Sequence, residues 1–311
     1  MAAKPKTFLS GAGLVWRRQG ALWWIYIVNA ALALLSAGGM VERAGDALNH
    51  SLAAQRLVHG FSLGALTELM SQPEAPLELP GTGFLFFPFV FLVFLLFATG
   101  GVLALYYRDE RLTAGPFFEA CGQHFWRFLR LLVYLVIAFI PIGIVGGITG
   151  QLHDHIDEAA ISPYPAVEVF AAGAVVILLL LMCLRLWFDM AQVIAVAEDE
   201  KRMHKALRRS AALLRRNFGS LFWLYFRISL IGWVVCGLAL QWWKNYVSPE
   251  SGGAAFFLGQ FIIVFWLSTR LWQRASEAMW YRQYQMEALT GAGVTEPEPV
   301  LTPVGAAAPV R

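Results

Sequence analysis

Charge is scarce in this chain. Asp, Glu, Lys and Arg make up 14% of its 311 residues, against about 25% in a soluble domain. That shortage excludes an ordinary water-facing surface. Cysteine is also rare. Of the three, Cys121 falls in a short basic loop and Cys183 and Cys236 in apolar runs. None is expected on an oxidising side of a membrane, so no disulfide is expected and all three read as packing residues. A soluble basic module with interleaved aromatic residues is missing too, which excludes a nucleic-acid partner. Nothing in the chain calls for a cofactor.

Long apolar runs fill the space that charge leaves. Hydrophobic residues make up 58% of the chain. About 20 consecutive apolar residues cross the hydrocarbon of a bilayer. Six stretches qualify: Gly20 to Met40, Gly83 to Tyr107, Phe128 to Gln151, Val167 to Phe188, Gly219 to Trp242 and Ala254 to Arg270. A large soluble helical core would show polar faces at helical spacing, but Phe84 to Phe97 and Ala171 to Leu184 are apolar all round. The first stretch differs from a cleaved signal: its charged leader is long, its apolar run exceeds the usual length, and Leu35 interrupts a small-residue site ending at Ala37. The expected fold is all-α: a polytopic membrane bundle of six transmembrane helices.

The cations are one-sided. Residues 1–19, 108–130, 198–217 and 274–311 hold eighteen of the 24 Lys and Arg, and the opposite side holds only Arg43, Arg56 and Lys244. The positive-inside rule then places both termini in the cytoplasm, consistent with an even number of spans. The expected location is a bacterial inner membrane.

Three parts of the chain look like copies of one unit. Trp16-Arg17-Arg18-Gln19-Gly20 leads into the first span, Cys121-Gly122-Gln123-His124-Phe125 into the third and Leu214-Arg215-Arg216-Asn217-Phe218 into the fifth. Each is a short amphipathic segment, a polar amide or imidazole, then an aromatic-rich entry. Acidic-basic patches precede the second and third copies, Arg108-Asp109-Glu110-Arg111 and Glu198-Asp199-Glu200-Lys201. The expected architecture is three tandem hairpins, each preceded by an interfacial helix, over about 7–107, 112–197 and 203–281. All enter from the same side, a parallel repeat. Within residues 1–290 this is one transmembrane domain. The tail 291–311 is Pro/Ala/Glu-rich without apolar periodicity and reads as disordered.

His204 to Phe218 is the clearest interfacial helix. Leu207, Ala211, Leu214 and Phe218 form the expected apolar stripe. Arg208, Arg209, Arg215 and Arg216 lie on other faces, where they would meet the anionic lipids of the inner leaflet.

Reactive motifs are weak. Gly60-Phe61-Ser62-Leu63-Gly64 matches a nucleophile elbow, but no strand precedes it. His153-Asp154-His155, with Asp157 and Glu158, is the densest set of potential metal ligands, yet two histidines at i, i+2 share no helix face, so a site would need His50 or His59. Both read as incidental, and no catalytic or metal residue is assigned. Gly143, Gly146, Gly147 and Gly150, beside Pro141, form small-residue steps for close helix packing and a kink. The ionisable groups inside spans are more informative: Arg185 and Asp189 as i, i+4 partners, Arg227 about 12 Å deep, and Arg270 and Arg274 followed by Glu277. Such charges face the bundle interior and have partners. They either hold helices together or form a pocket for an anionic headgroup or solute.

Leu184 to Tyr225 resembles a pattern in bacterial six-span proteins of unknown function, including relatives of the membrane domain attached to some glycerophosphodiester phosphodiesterases. The shared features are an arginine closing one span, a short acidic turn, and a basic helix with Ser210 before an Asn-aromatic entry to the next span. The catalytic barrel of those enzymes has no counterpart here, so the resemblance implies a membrane fold and no activity. The functional expectation is a non-enzymatic membrane protein acting in lipid or envelope organisation or as a scaffold. Its partners would be membrane lipids, and a second copy or another membrane protein. The rival is a transporter or permease subunit for an anionic solute or lipid.

Overall fold

The computed structural model describes residues 6–49, 83–108, 113–159, 164–247 and 251–291. The pentapeptide at 60–64, His50, His59, the proline-rich stretch 73–81, the patch at 109–111 and the tail after 291 lie outside them. The described residues form seven α-helices and no strand: α1 (Lys6–Arg17), α2 (Gln19–Asn49), α3 (Gly83–Arg108), α4 (Ala114–Ala159), α5 (Tyr164–Ala197), α6 (Met203–Tyr246) and α7 (Gly252–Gly291). All but α1 are long and apolar enough to cross a bilayer. The protein is a multi-pass membrane protein, with six spans among the described residues.

The helices outrun the hydrocarbon. With 46, 44 and 40 residues in α4, α6 and α7, they extend about 60–70 Å at 1.5 Å per residue, twice the core of about 30 Å. The interfacial segments are their extensions rather than separate helices. Only α1 is detached, at Arg18, whose N–H still reaches Leu14 O and Val15 O at 3.0 and 3.1 Å. In α6 the joint is a kink at Asn217 (φ −125°, ψ 25°), whose amide donates to Leu213 O at 3.2 Å. That side chain competes for a backbone carbonyl and loosens the ladder. In α4 the corresponding Gln123 donates instead to Glu119 at 3.3 Å on the surface, and the helix continues unbroken, through Pro141 as well.

One packing arrangement recurs three times. The second spans α3, α5 and α7 all touch one another. Around them, α4 bridges α3 and α5, α6 bridges α5 and α7, and α1 with α2 bridges α7 and α3. The first element therefore closes a ring against the last. Trp187 Nε1 donates to Leu207 O (3.0 Å), linking α5 to the start of α6. Trp272 Nε1 donates to Phe8 O (2.8 Å), linking α7 to α1 in the same way. Ser210 adds a bond from its hydroxyl to Trp187 O (2.7 Å). At the third seam two glycines do the work. A Cβ on Gly100 would lie 2.9 Å from Ala120 O, and one on Gly101 would lie 2.6 Å from Cys121 Sγ, so α3 and α4 approach with no room for a side chain.

The small-residue stripe of α4 is only partly used. Gly146 lies near Ile177, and Gly173 of α5 packs on Thr149. Gly143 and Gly147 are exposed and meet nothing, because the contact face runs through positions 146, 149 and 150, and 143 and 147 point elsewhere. Outer faces stay apolar: Val133, Ile137, Ile140, Ile144 and Ile148 line one side of α4 in the open. Trp16, Trp126 and Trp223 are exposed toward the basic end, and Tyr164, Trp242 and Tyr246 toward the other. Such aromatic belts suit two bilayer interfaces.

Candidate functional site

A cavity of about 550 Å³ lies inside the bundle, walled by α3, α4, α5, α6 and α7. Its chemistry is divided along its length. Toward the basic end it is polar: Arg185, Asp189 and Gln192 from α5, Arg270, Gln273 and Arg274 from α7, and Tyr225 and Ser229 from α6. Toward the other end it is lined by Leu178, Leu181, Trp233, Trp266, Leu135 and Phe139.

Asp189 is the electrostatic hub. Its carboxylate is buried, 3.4 Å from Arg185 Nε and 3.9 Å from Arg274 Nη2. The first pair follows from i, i+4 spacing on one helix; the second ties α5 to α7. The Arg270 guanidinium lies over the Trp266 ring, 4.9 Å from its centroid. Gln273 Nε2 donates to Ser229 Oγ at 2.7 Å, joining α7 to α6. Two guanidiniums thus flank the Asp189 carboxylate, and a third, Arg270, lines the same cleft over Trp266. Glu277, 2% exposed, lies beyond the lining within the field of Asp189, Arg274 and Arg185. Arg274 Nη1, Gln192 Oε1 and Gln273 Oε1 are buried with no hydrogen-bond partner.

Four of the five intramembrane residues singled out from sequence come together here: Arg185, Asp189, Arg270 and Arg274. Arg227 does not. Its guanidinium lies 5.0 Å from the Phe8 ring and 5.8 Å from Trp223, toward α1. Depth alone placed it in the group, but face decides: on α6 the cleft receives Tyr225, Ser229, Gly232 and Trp233, and position 227 is about 200° round the helix from 225 at about 100° per residue. Gln192, Gln273, Ser229 and Tyr225 went unnoticed in the sequence. A signal existed: Arg185-Leu186-Trp187 of α5 recurs as Arg270-Leu271-Trp272 of α7. Trp187 clasps the entry of α6 and Trp272 clasps α1, and in both copies the arginine two residues earlier lines the cleft.

The interfacial arginines Arg208, Arg209, Arg215 and Arg216 are all exposed. Arg209 is not free for lipid, however, because it pairs with Glu198, which also accepts a bond from Tyr281 Oη at 2.7 Å. The apolar stripe is turned from its expected position. Met203, Ala206, Leu207, Ser210 and Leu213 are buried, while Phe218 is exposed. The bond between Ser210 and Trp187 sets this face, and a hydrophobicity pattern gives a serine no weight. Beside it, Arg127 pairs with Asp199 at 2.6 Å. The Arg127 bond holds the Asp199 carboxyl below the usual carboxylate range, and the Arg202 backbone N–H does the same for Glu200.

His50 and His59, the further ligands that a metal site at the histidine loop would need, lie outside the described residues. His153 Nδ1 lies 2.9 Å from Ala166 O and its ring packs on Phe170, and no group of three metal-ligating side chains occurs among the described residues. No family model, curated protein or solved structure matches this chain.

Proposed function

We propose that this protein is a non-enzymatic component of a bacterial cytoplasmic membrane, with both ends of the chain cytoplasmic, that holds an anionic group in the arginine-lined cleft. The carrying observation is the charge of the lining, where Arg185, Arg270 and Arg274 stand against Asp189; with Glu277 buried behind them, the cations still outnumber the nearby acids by at least one. Uncompensated cations in a low-dielectric interior are costly, and an anion offsets them. Arg274 Nη1 is a donor for its oxygen atoms. The one-sided cations and the exposed Arg208, Arg215 and Arg216 support lipid contact at the same membrane face. Together they support a role in lipid or envelope organisation. The resemblance of Leu184 to Tyr225 to membrane domains that accompany phospholipid-derived chemistry is in keeping with it.

A transport path for an anion would continue polar beyond the arginines. The far wall is instead leucine, phenylalanine and tryptophan, which favours holding over conduction. The test is retention of phosphatidylglycerol and phosphatidylcholine by the purified full-length protein in neutral detergent, read by native mass spectrometry. Preferential retention of phosphatidylglycerol, falling at least tenfold in Arg185→Gln/Arg274→Gln, is expected. Equal retention of both lipids would remove the reading.

A further inference from the structure

Resting on that anion-binding reading, we infer that the occupant is an anionic phospholipid that enters sideways from the bilayer between α4 and α6 and lays one acyl chain along the apolar half of the cleft.

The lining is divided into a polar and an apolar half. A free anion needs only the arginines and amides. Here the cavity continues from them into Leu178, Leu181, Leu135, Phe139 and Trp233. From Gln192 to Leu178 the α5 wall runs about 21 Å at 1.5 Å per residue. One leaflet of hydrocarbon is about 15 Å deep. A headgroup at the arginines would therefore leave its chain beside the apolar wall, pointing to the midplane as it does in the leaflet.

The cleft also has an opening toward the bilayer. Where other neighbouring helices pack along one another, α4 and α6 scarcely meet, although both line the cavity. Phe139 on α4 and Trp233 on α6 line it and are also about two-fifths exposed, so the wall between them gives onto the bilayer. That opening lies beside the apolar half of the cleft, whereas the arginines and amides line the other end.

A tail gains little by leaving lipid for an apolar cleft, because both surroundings are hydrocarbon. Affinity then comes from the headgroup, and the apolar half gives room and selection. Filling that half should expel the lipid and spare the arginines.

The experiment uses the full chain in neutral detergent with two probes: phosphatidylglycerol, read by native mass spectrometry, and inorganic phosphate, read by thermal shift. Leu135→Trp is expected to reduce phosphatidylglycerol retention at least tenfold while phosphate still stabilises the protein. Unchanged phosphatidylglycerol retention in Leu135→Trp overturns the sideways lipid and leaves the anion site standing. If wild type responds to neither probe, the anion reading falls and this inference with it. Should Leu135→Trp not fold, unaltered protein is labelled with phosphatidylglycerol carrying a diazirine in its tail. Adducts on Leu132–Phe139 and Ser229–Trp233 support the inference; adducts confined to outer faces such as Ile140 and Ile148 defeat it.

Discussion

Asp189→Asn separates the two roles of the polar cluster. The amide keeps the size of the side chain, so no cavity forms, but it removes the negative charge between Arg185 and Arg274. Breaking a buried ion pair by neutralising one partner costs about 3–5 kcal/mol. Here the distances are 3.4 and 3.9 Å, and 35% of the Arg185 side chain and 20% of Arg274 remain exposed. Exposure screens the pair, which reduces the expected loss to about 2–3 kcal/mol. At about 2–4 °C per kcal/mol for a chain of a few hundred residues, Tm in detergent falls by roughly 5–10 °C. Anion binding moves the other way. The cleft becomes one charge more positive, so phosphatidylglycerol retention rises and its thermal stabilisation exceeds that of wild type. Asp189→Asn/Arg274→Gln should recover part of the lost Tm, since the repulsion it relieves is the one the first change exposed. A Tm within about 1 °C of wild type would refute the hub assignment. Loss of stability together with loss of lipid would refute the charge-excess argument.

Other expectations follow from the same geometry. Gly101→Ala drives a methyl into Cys121 Sγ and the Phe117 ring and should cost about 1–3 kcal/mol by overpacking, whereas Gly219→Ala, which meets nothing within 4 Å inside α6, should not lower Tm and gains up to about 1 kcal/mol of helix propensity. Arg227→Leu loses stacking on Phe8 and Trp223, about 0.5–1 kcal/mol, yet should keep full phosphatidylglycerol selectivity; reduced selectivity would return Arg227 to the site. Asp199, at φ 50°, sits in a conformation that asparagine tolerates and valine does not, so Asp199→Val should lower Tm more than Asp199→Asn. The lowered carboxyl of Asp199 stabilises the fold above its unfolded value of about 3.9 and ceases to do so as pH falls through the lower folded value. The acid loss below about pH 4 should therefore be shallower in Asp199→Asn, by no more than about 1 kcal/mol for so exposed a pair. Denaturation curves at stepped pH measure it.

The amino-acid order alone determined that this chain crosses a membrane as helices, six of them among the described residues. Apolar runs such as Phe84 to Phe97 leave no polar face, and backbone groups in hydrocarbon must bond within their own helix. It also marked Arg185, Asp189, Arg227, Arg270 and Arg274 as charges that must turn inward. Which charges meet was decided only in three dimensions, because depth is linear in sequence while helix face depends on how each span is rotated against its neighbours. Arg227 lies at a reasonable depth and faces α1. Ser210, neutral in any hydropathy pattern, fixes the rotation of the α6 entry through one bond to Trp187. The apolar half of the cleft was likewise invisible, since Leu135, Leu178 and Trp233 look like any other lipid-facing residues until α4 and α6 are seen to stand apart.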